Sequence, residues 1–124
     1  MVFMMVMVAI STMTIREESH IRSGGPWRLL AGCHSTEVIA DEFKNGLKFD
    51  QPGRVAMAHS GPGTASCQFF ITDAEVRRLD GLYSIFGQVV EGQEVVHTIA
   101  TTARDGSDKP LNLVRMKVTI EQVN

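Results

Sequence analysis

The sequence predicts a mainly β protein, either a barrel or a sandwich, with one or two short helices. Its apolar residues fall in short runs rich in β-branched and aromatic side chains, which is typical of strands. Glycine, proline, asparagine and aspartate recur between these runs, as turn residues do in all-β proteins. Helical apolar spacing is rare along the chain. The strand candidates are Val2–Ile10, Val55–Ala58, Gln68–Ile71, Tyr83–Val90 and Val114–Val123.

The best-defined pair of strands lies in the middle of the chain. Val55–Ala58 and Gln68–Ile71 flank the loop Ser60–Cys67, whose Gly-Pro-Gly segment favours a turn because proline presets φ and glycine tolerates positive φ. These two strands are therefore predicted to form a hairpin with a long connection. Gln68 and Phe70 are two residues apart, so they lie on one face of the second strand. An amide beside an aromatic ring on that face suits the binding of a peptide.

The helix candidates both lie in the second half of the chain. Gly92–Thr101 is the stronger one, because Val95, Val96 and Ile99 form a narrow apolar stripe at helical spacing. Asp73–Leu79 is short and charged and predicts a single helical turn.

The last strand candidate, Val114–Val123, has the clearest alternation. Its apolar residues occupy every second position and polar residues stand between them. One buried and one solvated face are therefore expected.

Length and composition place the chain among ordinary globular domains. At 124 residues it is expected to form one domain. A formal net charge of −2 argues against nucleic acid and anionic membranes as partners. Cys33 and Cys67 have no metal-ligand spacing, and a single possible disulfide does not make a secreted scaffold. A reducing, cytoplasmic location is the expectation that follows.

The first residues, Met1–Met13, are apolar and rich in methionine. Three interpretations remain open for them: a buried strand, a frayed or artefactual leader, and a membrane anchor. The run is shorter than the about 20 apolar residues that cross a bilayer. Its first basic residue, Arg16, follows the run, whereas a secretory signal begins with positive charge.

Six motifs after Val38 form a specific combination. They are D-E-F at Asp41–Phe43, L-K-F-D-Q-P-G at Leu47–Gly53, M-A-H-S-G-P-G-T at Met57–Thr64, Q-F-F-I-T at Gln68–Thr72, L-D-G-L-Y-S-I-F-G-Q-V-V-E-G at Leu79–Gly92 and K-P-L-N-L-V-R-M at Lys109–Met116. With these motifs, about residues 39–124 resemble the cyclophilin-type peptidyl-prolyl cis-trans isomerases.

This resemblance implies an antiparallel β-barrel of eight strands with two capping helices, here in an incomplete form. It implies that the protein catalyses rotation about X–Pro peptide bonds and so assists protein folding. The uncatalysed barrier to this rotation is about 20 kcal/mol. In the family an arginine guanidinium donates to the imide nitrogen, and preplaced donors stabilise the twisted amide. The implied partners are proline-containing peptides, unfolded chains and a cyclosporin-like ligand. No cofactor and no metal are implied.

The resemblance also assigns site residues. Gln68 is expected to hydrogen-bond the substrate backbone, and Phe70 and Leu79 to line the proline pocket, with Tyr83 at its edge. Ala58, His59 and Ser60 are expected to form the rim, where the His59 backbone pairs with the peptide.

Other interpretations of these residues stay open. Phe70 and Leu79 could be plain core residues, and Tyr83 a barrel residue. His59 stands where the family usually has asparagine and could be an exposed loop histidine. Cys67 is interpreted as a small buried residue, because no partnered base is evident.

Residues 1–37 depart from the family motifs. The family's arginine follows Phe-His and precedes a Gln-Gly-Gly segment, and Arg16, Arg22 and Arg28 have neither neighbour. The catalytic arginine is therefore assigned to no residue. Residues 1–37 are interpreted as a divergent leader and 38–124 as the C-terminal part of the domain. A proline-peptide-binding module and an inactive fragment remain alternatives to an active isomerase.

Overall fold

Six strands and two short helices make up the part of the chain that the structure describes. The computed structural model describes residues 6–9, 22–23, 29–30, 38–43, 46–66, 68–106 and 110–112. The strands are β1 Val6–Ala9, β2 Arg22–Ser23, β3 Leu29–Leu30, β4 Arg54–Met57, β5 Phe69–Ile71 and β6 Ile85–Glu91. A 3-10 helix spans Arg77–Leu79, and the α-helix α1 spans Gln93–Ala100.

All six strands belong to one sheet, in the order β1-β6-β4-β5-β3-β2. Four of the strand pairs are antiparallel, whereas β1 pairs with β6 in parallel. In this order β1 and β2 are not neighbours, so the sheet is open across the described residues. The architecture is that of an incomplete barrel, and the predicted mainly β fold class is confirmed.

The sheet separates two apolar clusters, one on each face. Alternation along the central strands assigns their residues: Val55 and Ile71 lie in the first cluster, and Ala56 and Phe70 in the second. The first cluster packs against α1 and includes Val89, Val96 and Ile99. The second lies beneath the loops and includes Phe49, Val76 and Ile85.

A β-bulge in β6 controls which of its residues face the loops. Val55 of β4 is opposite Gly87, but the next residue, Ala56, is opposite Ile85, so Phe86 has no separate partner in β4. The extra residue reverses the alternation of β6. Ile85 therefore lies in the second cluster, whereas Val89, four residues later, lies in the first.

Helix α1 is fixed to the end of β5 by polar side chains as well as by its apolar stripe. Gln93 Nε2 donates to the Thr72 carbonyl at 3.2 Å, and His97 Nδ1 lies 2.8 Å from Asp73 Oδ2. Val96 and Ile99 are buried, as the stripe predicted. Gly92 precedes the helix with φ 90°, a left-handed conformation that favours glycine.

The predicted hairpin strands, the strand from Tyr83 and the helix Gly92–Thr101 are found within one or two residues of their predicted bounds, whereas the turn predicted from Asp73 begins at Arg77. The hairpin forms between β4 and β5, and Asp73–Leu79 contains the single turn of 3-10 helix. The strand predicted from Tyr83 begins at Ile85, and the run Val2–Ile10 contains β1. Val114–Val123 and Cys67 lie outside the described residues. Among those described, no helix has the length and apolarity to cross a bilayer.

Candidate functional site

The loop-covered face of the sheet carries a row of aromatic rings. Phe70 is 5% exposed and stacks on Phe49, with ring centroids 6.0 Å apart. Tyr83 meets the outer part of Phe70 edge-on at 5.4 Å and an interplanar angle of 88°. Leu79 packs against the same cluster and is half-buried. Phe70 is therefore a core residue, and the two residues predicted to border the proline pocket with it, Leu79 and Tyr83, pack against the same cluster.

The rim above this floor is a loop closed by its own hydrogen bonds. The Ser60 amide donates to Thr64 Oγ1 at 2.9 Å, and that hydroxyl donates to the Gly61 carbonyl at 2.6 Å. The Gly63 amide donates to Asp41 Oδ2 at 2.6 Å. These bonds fix the Gly-Pro-Gly segment in one conformation beside the aromatic row.

His59 connects this rim loop to the segment Leu82–Tyr83 on the other side of the aromatic row, which is called the opposite wall below. Its ring stacks on Tyr83 with centroids 4.4 Å apart and planes 22° from parallel. Its Nε2 lies 2.8 Å from the Leu82 carbonyl oxygen, and its Nδ1 accepts from the Gly61 amide at 3.0 Å. The ring is half-buried.

Asp80 supports the site from below. Its Oδ1 accepts from the Phe49 amide at 2.6 Å, and its Oδ2 forms an ion pair with Arg77 Nε at 2.9 Å. The Val76 amide in turn donates to the Phe49 carbonyl at 2.9 Å. The carboxylate thus ties the 3-10 helix, which ends in Leu79, to the residue stacked under Phe70.

The structure brings together the residues predicted for the site. Gln68 directly precedes β5, and its carbonyl accepts from the Ala58 amide at 2.8 Å, so the two flank the mouth of the hairpin. Ala58 packs against the second cluster and Ser60 is exposed. The substrate roles of these residues, and of His59, Leu79 and Tyr83, remain predictions.

Sequence reasoning did not single out the polar supports of the site. Three polar residues that support the site lie inside the motifs that carried the resemblance: Asp41, Thr64 and Asp80. Their spacing in the sequence does not indicate which backbone amides they bind. Such contacts join segments 22 and 31 residues apart along the chain, so only the folded chain brings them together.

The arginines matter because the resemblance implies one at the site. Arg54 is buried, but its Nε donates to the Lys48 carbonyl and its Nη2 forms an ion pair with Asp50 at 2.9 Å. The hydrogen bond from Arg54 lowers the pKa of the Asp50 carboxyl below 3.8. The Arg54 guanidinium is therefore engaged by the two residues that flank Phe49.

Arg22 occupies a notable backbone position. It is opposite Leu30, Leu30 is opposite Phe70, and Phe70 is opposite Ala56. Register therefore places the backbone of Arg22 two strand spacings, or roughly 10 Å, from that of Phe70 across the sheet.

The described residues contain no cluster of three or more His, Cys, Asp or Glu side chains that could hold a metal ion. The chemistry available in this part of the site is that of hydrogen-bond donors, acceptors and apolar walls.

Comparisons with known proteins agree with this geometry. A family model described as "Cyclophilin type peptidyl-prolyl cis-trans isomerase/CLD" matches residues 8–121, so the match begins inside the segment that the motifs left unassigned. The chain is 51% identical over 74 residues to a probable peptidyl-prolyl cis-trans isomerase A of Mycobacterium leprae, covering 58% of this chain and 41% of that protein. It is 40% identical over 97 residues to peptidyl-prolyl cis-trans isomerase B of Saccharomyces cerevisiae, covering 75% of this chain and 47% of the relative. The chain thus spans less than half the length of these relatives.

A solved structure shows the same likeness in three dimensions. A cyclophilin-type isomerase of Cryptosporidium parvum, crystallised in the presence of the dipeptide Ala-Pro, superposes with a TM-score of 0.74 at 27% identity. The superposition covers 86% of this chain and 75% of that one.

Proposed function

The chain belongs to the cyclophilin-type peptidyl-prolyl cis-trans isomerase family, and we propose that it binds X–Pro segments of peptides and unfolded proteins over Phe70 and isomerises them. The observation that carries the proposal is the floor of Phe70 walled by Leu79 and Tyr83. A proline ring is apolar and compact, and an aromatic floor with apolar walls suits it. The solved relative crystallised with Ala-Pro supports a proline-containing ligand.

The proposed binding combines this floor with hydrogen bonds from the mouth of the hairpin. Gln68 supplies an amide that can donate to and accept from the peptide backbone, and the rim at Ala58, His59 and Ser60 supplies main-chain groups. Isomerisation then requires that donors favour the twisted amide over the planar ground state. The same floor would accept the apolar ring-like surface of a cyclosporin-like ligand.

Binding is tested first, with the dipeptide Ala-Pro followed by NMR titration. We expect Gln68→Ala to weaken binding about tenfold, the worth of one or two hydrogen bonds, and to leave stability nearly unchanged. Gln88→Ala is the matched control, because that amide bonds Gln51 and the Pro52 carbonyl away from the site. Equal affinity of the Gln68 variant and the wild type would contradict the proposed site.

Turnover is tested separately, because a pure binding module is the second candidate function. A binding module is considered because the arginine motif of the family is absent from the sequence. We expect X–Pro exchange, measured by NMR on a proline peptide, to be about 10²–10³ slower than in an intact family member, the cost of losing one preplaced donor. A rate equal to that of an intact member would contradict this expectation.

Arg22 is the arginine to substitute in this assay, because of its register with Phe70. If exchange is measurable and Arg22→Ala abolishes it while Arg78→Ala does not, Arg22 carries residual catalysis. If neither variant changes the rate, this arginine is not used. Binding of Ala-Pro without any exchange would establish the binding module.

A further inference from the structure

The side chain of His59 makes contacts that the proposed binding of proline peptides does not require. One of its ring nitrogens accepts a hydrogen bond and the other donates one. The Gly61 amide can only donate, so Nδ1 accepts, and the Leu82 carbonyl can only accept, so Nε2 carries the hydrogen. The geometry fixes a neutral imidazole with its proton on Nε2.

One of these bonds crosses the site. Gly61 belongs to the same rim as His59, so the Nδ1 bond is local, whereas Leu82 lies directly before Tyr83 on the opposite wall. The stacked contact of 4.4 Å between His59 and Tyr83 adds a second connection across the site. Tyr83 in turn packs edge-on against Phe70.

We infer that His59 is a positioning residue that holds the rim loop and Tyr83 at the separation a proline peptide requires, and that only its neutral Nε2–H form does so. This inference rests on the proposed function. Protonation adds a hydrogen at Nδ1, where the Gly61 amide already donates, so the charged ring loses that bond, which is one of several that hold the rim loop. The affinity for a proline peptide therefore falls when His59 is protonated.

Other titratable groups face the same region. Asp41 and Glu42 lie on the segment that binds the rim loop, and Asp80 and Tyr83 lie on the opposite wall. All of these groups remain in the His59→Asn variant, so that variant separates the effect of the imidazole from theirs.

The experiment measures Ala-Pro affinity by NMR titration between pH 5 and pH 8, in the whole chain and two variants. For the wild type we expect the affinity to be about threefold to tenfold weaker at the acid end, the worth of one hydrogen bond. His59→Asn should remove this pH dependence. His97→Asn is the matched control, since His97 is exposed on α1 and pairs with Asp73 on the other face of the sheet, and it should keep the dependence.

Four outcomes are informative. A flat wild-type profile, or the same slope in His59→Asn, overturns the inference and leaves the proposed function standing. Absence of Ala-Pro binding at every pH overturns the proposed function together with the inference. If His59→Asn fails to fold, long-range ¹⁵N–¹H spectra of the wild type replace it. The inference is supported if the neutral ring carries its proton on Nε2 and becomes protonated over the same pH range in which the affinity falls. A ring protonated on Nδ1 overturns it.

Discussion

Phe70 is, at the scale of a single residue, both a core side chain and the floor of the proposed binding site. Its ring is almost wholly buried between Phe49 and Tyr83, which supports its interpretation as a core residue, while its role in the pocket stays a prediction. Truncating it removes a stacked pair and an edge-on pair at once. If the proposed site is right, one side chain serves both stability and binding.

We expect Phe70→Ala to lower the free energy of unfolding by about 3–5 kcal/mol, as for other buried phenylalanines, and to weaken Ala-Pro binding. Phe69→Ala is the matched control, because Phe69 is half-buried and packs against the opposite cluster. It should cost less stability and leave binding unchanged. Urea unfolding and NMR titration measure both effects, and Phe70→Leu provides a milder variant that keeps the fold. Equal losses of binding in the Phe69 and Phe70 variants would contradict the assignment of the floor.

At the scale of elements, the turn before β4 is fixed by a glycine whose positive φ and close neighbours disfavour any side chain. Gly53 has φ +83°, and a Cβ built on it would lie 2.7 Å from Gln93 Oε1 and 2.8 Å from Gln88 Nε2. Its amide donates to the Thr72 carbonyl and its carbonyl accepts from the Val89 amide. This one residue therefore aligns β4 with the ends of β5 and β6.

Gly53→Ala is expected to destabilise the fold by more than Gly81→Ala. Gly81 has φ +73° with no atom within 4 Å of a built Cβ, so alanine there meets only backbone strain, about 1–2 kcal/mol. At Gly53 the same strain is joined by displacement of two amide side chains. Urea midpoints of the two variants measure the difference, and equal midpoints would show that the glutamines yield without cost.

The bulge in β6 is the second decisive feature at this scale. Without the extra residue Phe86, regular alternation would place Ile85 and Val89 on one face of the sheet. With it, Ile85 lies in the loop-side cluster. Tyr83, two residues before β6, packs against the same cluster. Bulges often re-aim side chains beside functional sites, and this one does so for the wall of the aromatic row.

At the scale of the whole molecule, three strands from residues 1–37 extend a sheet whose central strands come from residues 38–124. β1 pairs with β6, and β3 pairs with β5, so segments on both sides of the proposed boundary at residue 38 share one hydrogen-bonded network. Central strands β4, β5 and β6 have a partner on each side, whereas β1 and β2 stand at the ends of the strand order. Among the described strands these two have one partner each, and strands paired on one side open before strands paired on both.

Amide hydrogen exchange is expected to follow this order. Protection should be greatest at Val55–Met57 and Phe69–Ile71, and lower at Val6–Ala9 and Arg22–Ser23, because each end strand has one partner among the described strands. Mass spectrometry of peptides from a native-state exchange series measures it. Protection of β2 equal to that of β4 would mean that the early strands are an integral part of the domain rather than additions to its edge.

Sequence alone did not indicate the strands β2 and β3, but it determined the central hairpin, the strand β6, the helix α1 and the family. Each depends on local chemistry: turn residues between the strands, an apolar stripe at Val95, Val96 and Ile99, and contiguous motifs such as Gln68–Thr72. Tertiary structure alone decided three further features. The bulge at Phe86, the register that aligns Arg22 with Phe70, and the bridge that His59 makes between two walls each join segments far apart along the chain. Local propensity carries no information about such pairings, because their energies exist only after the segments have met.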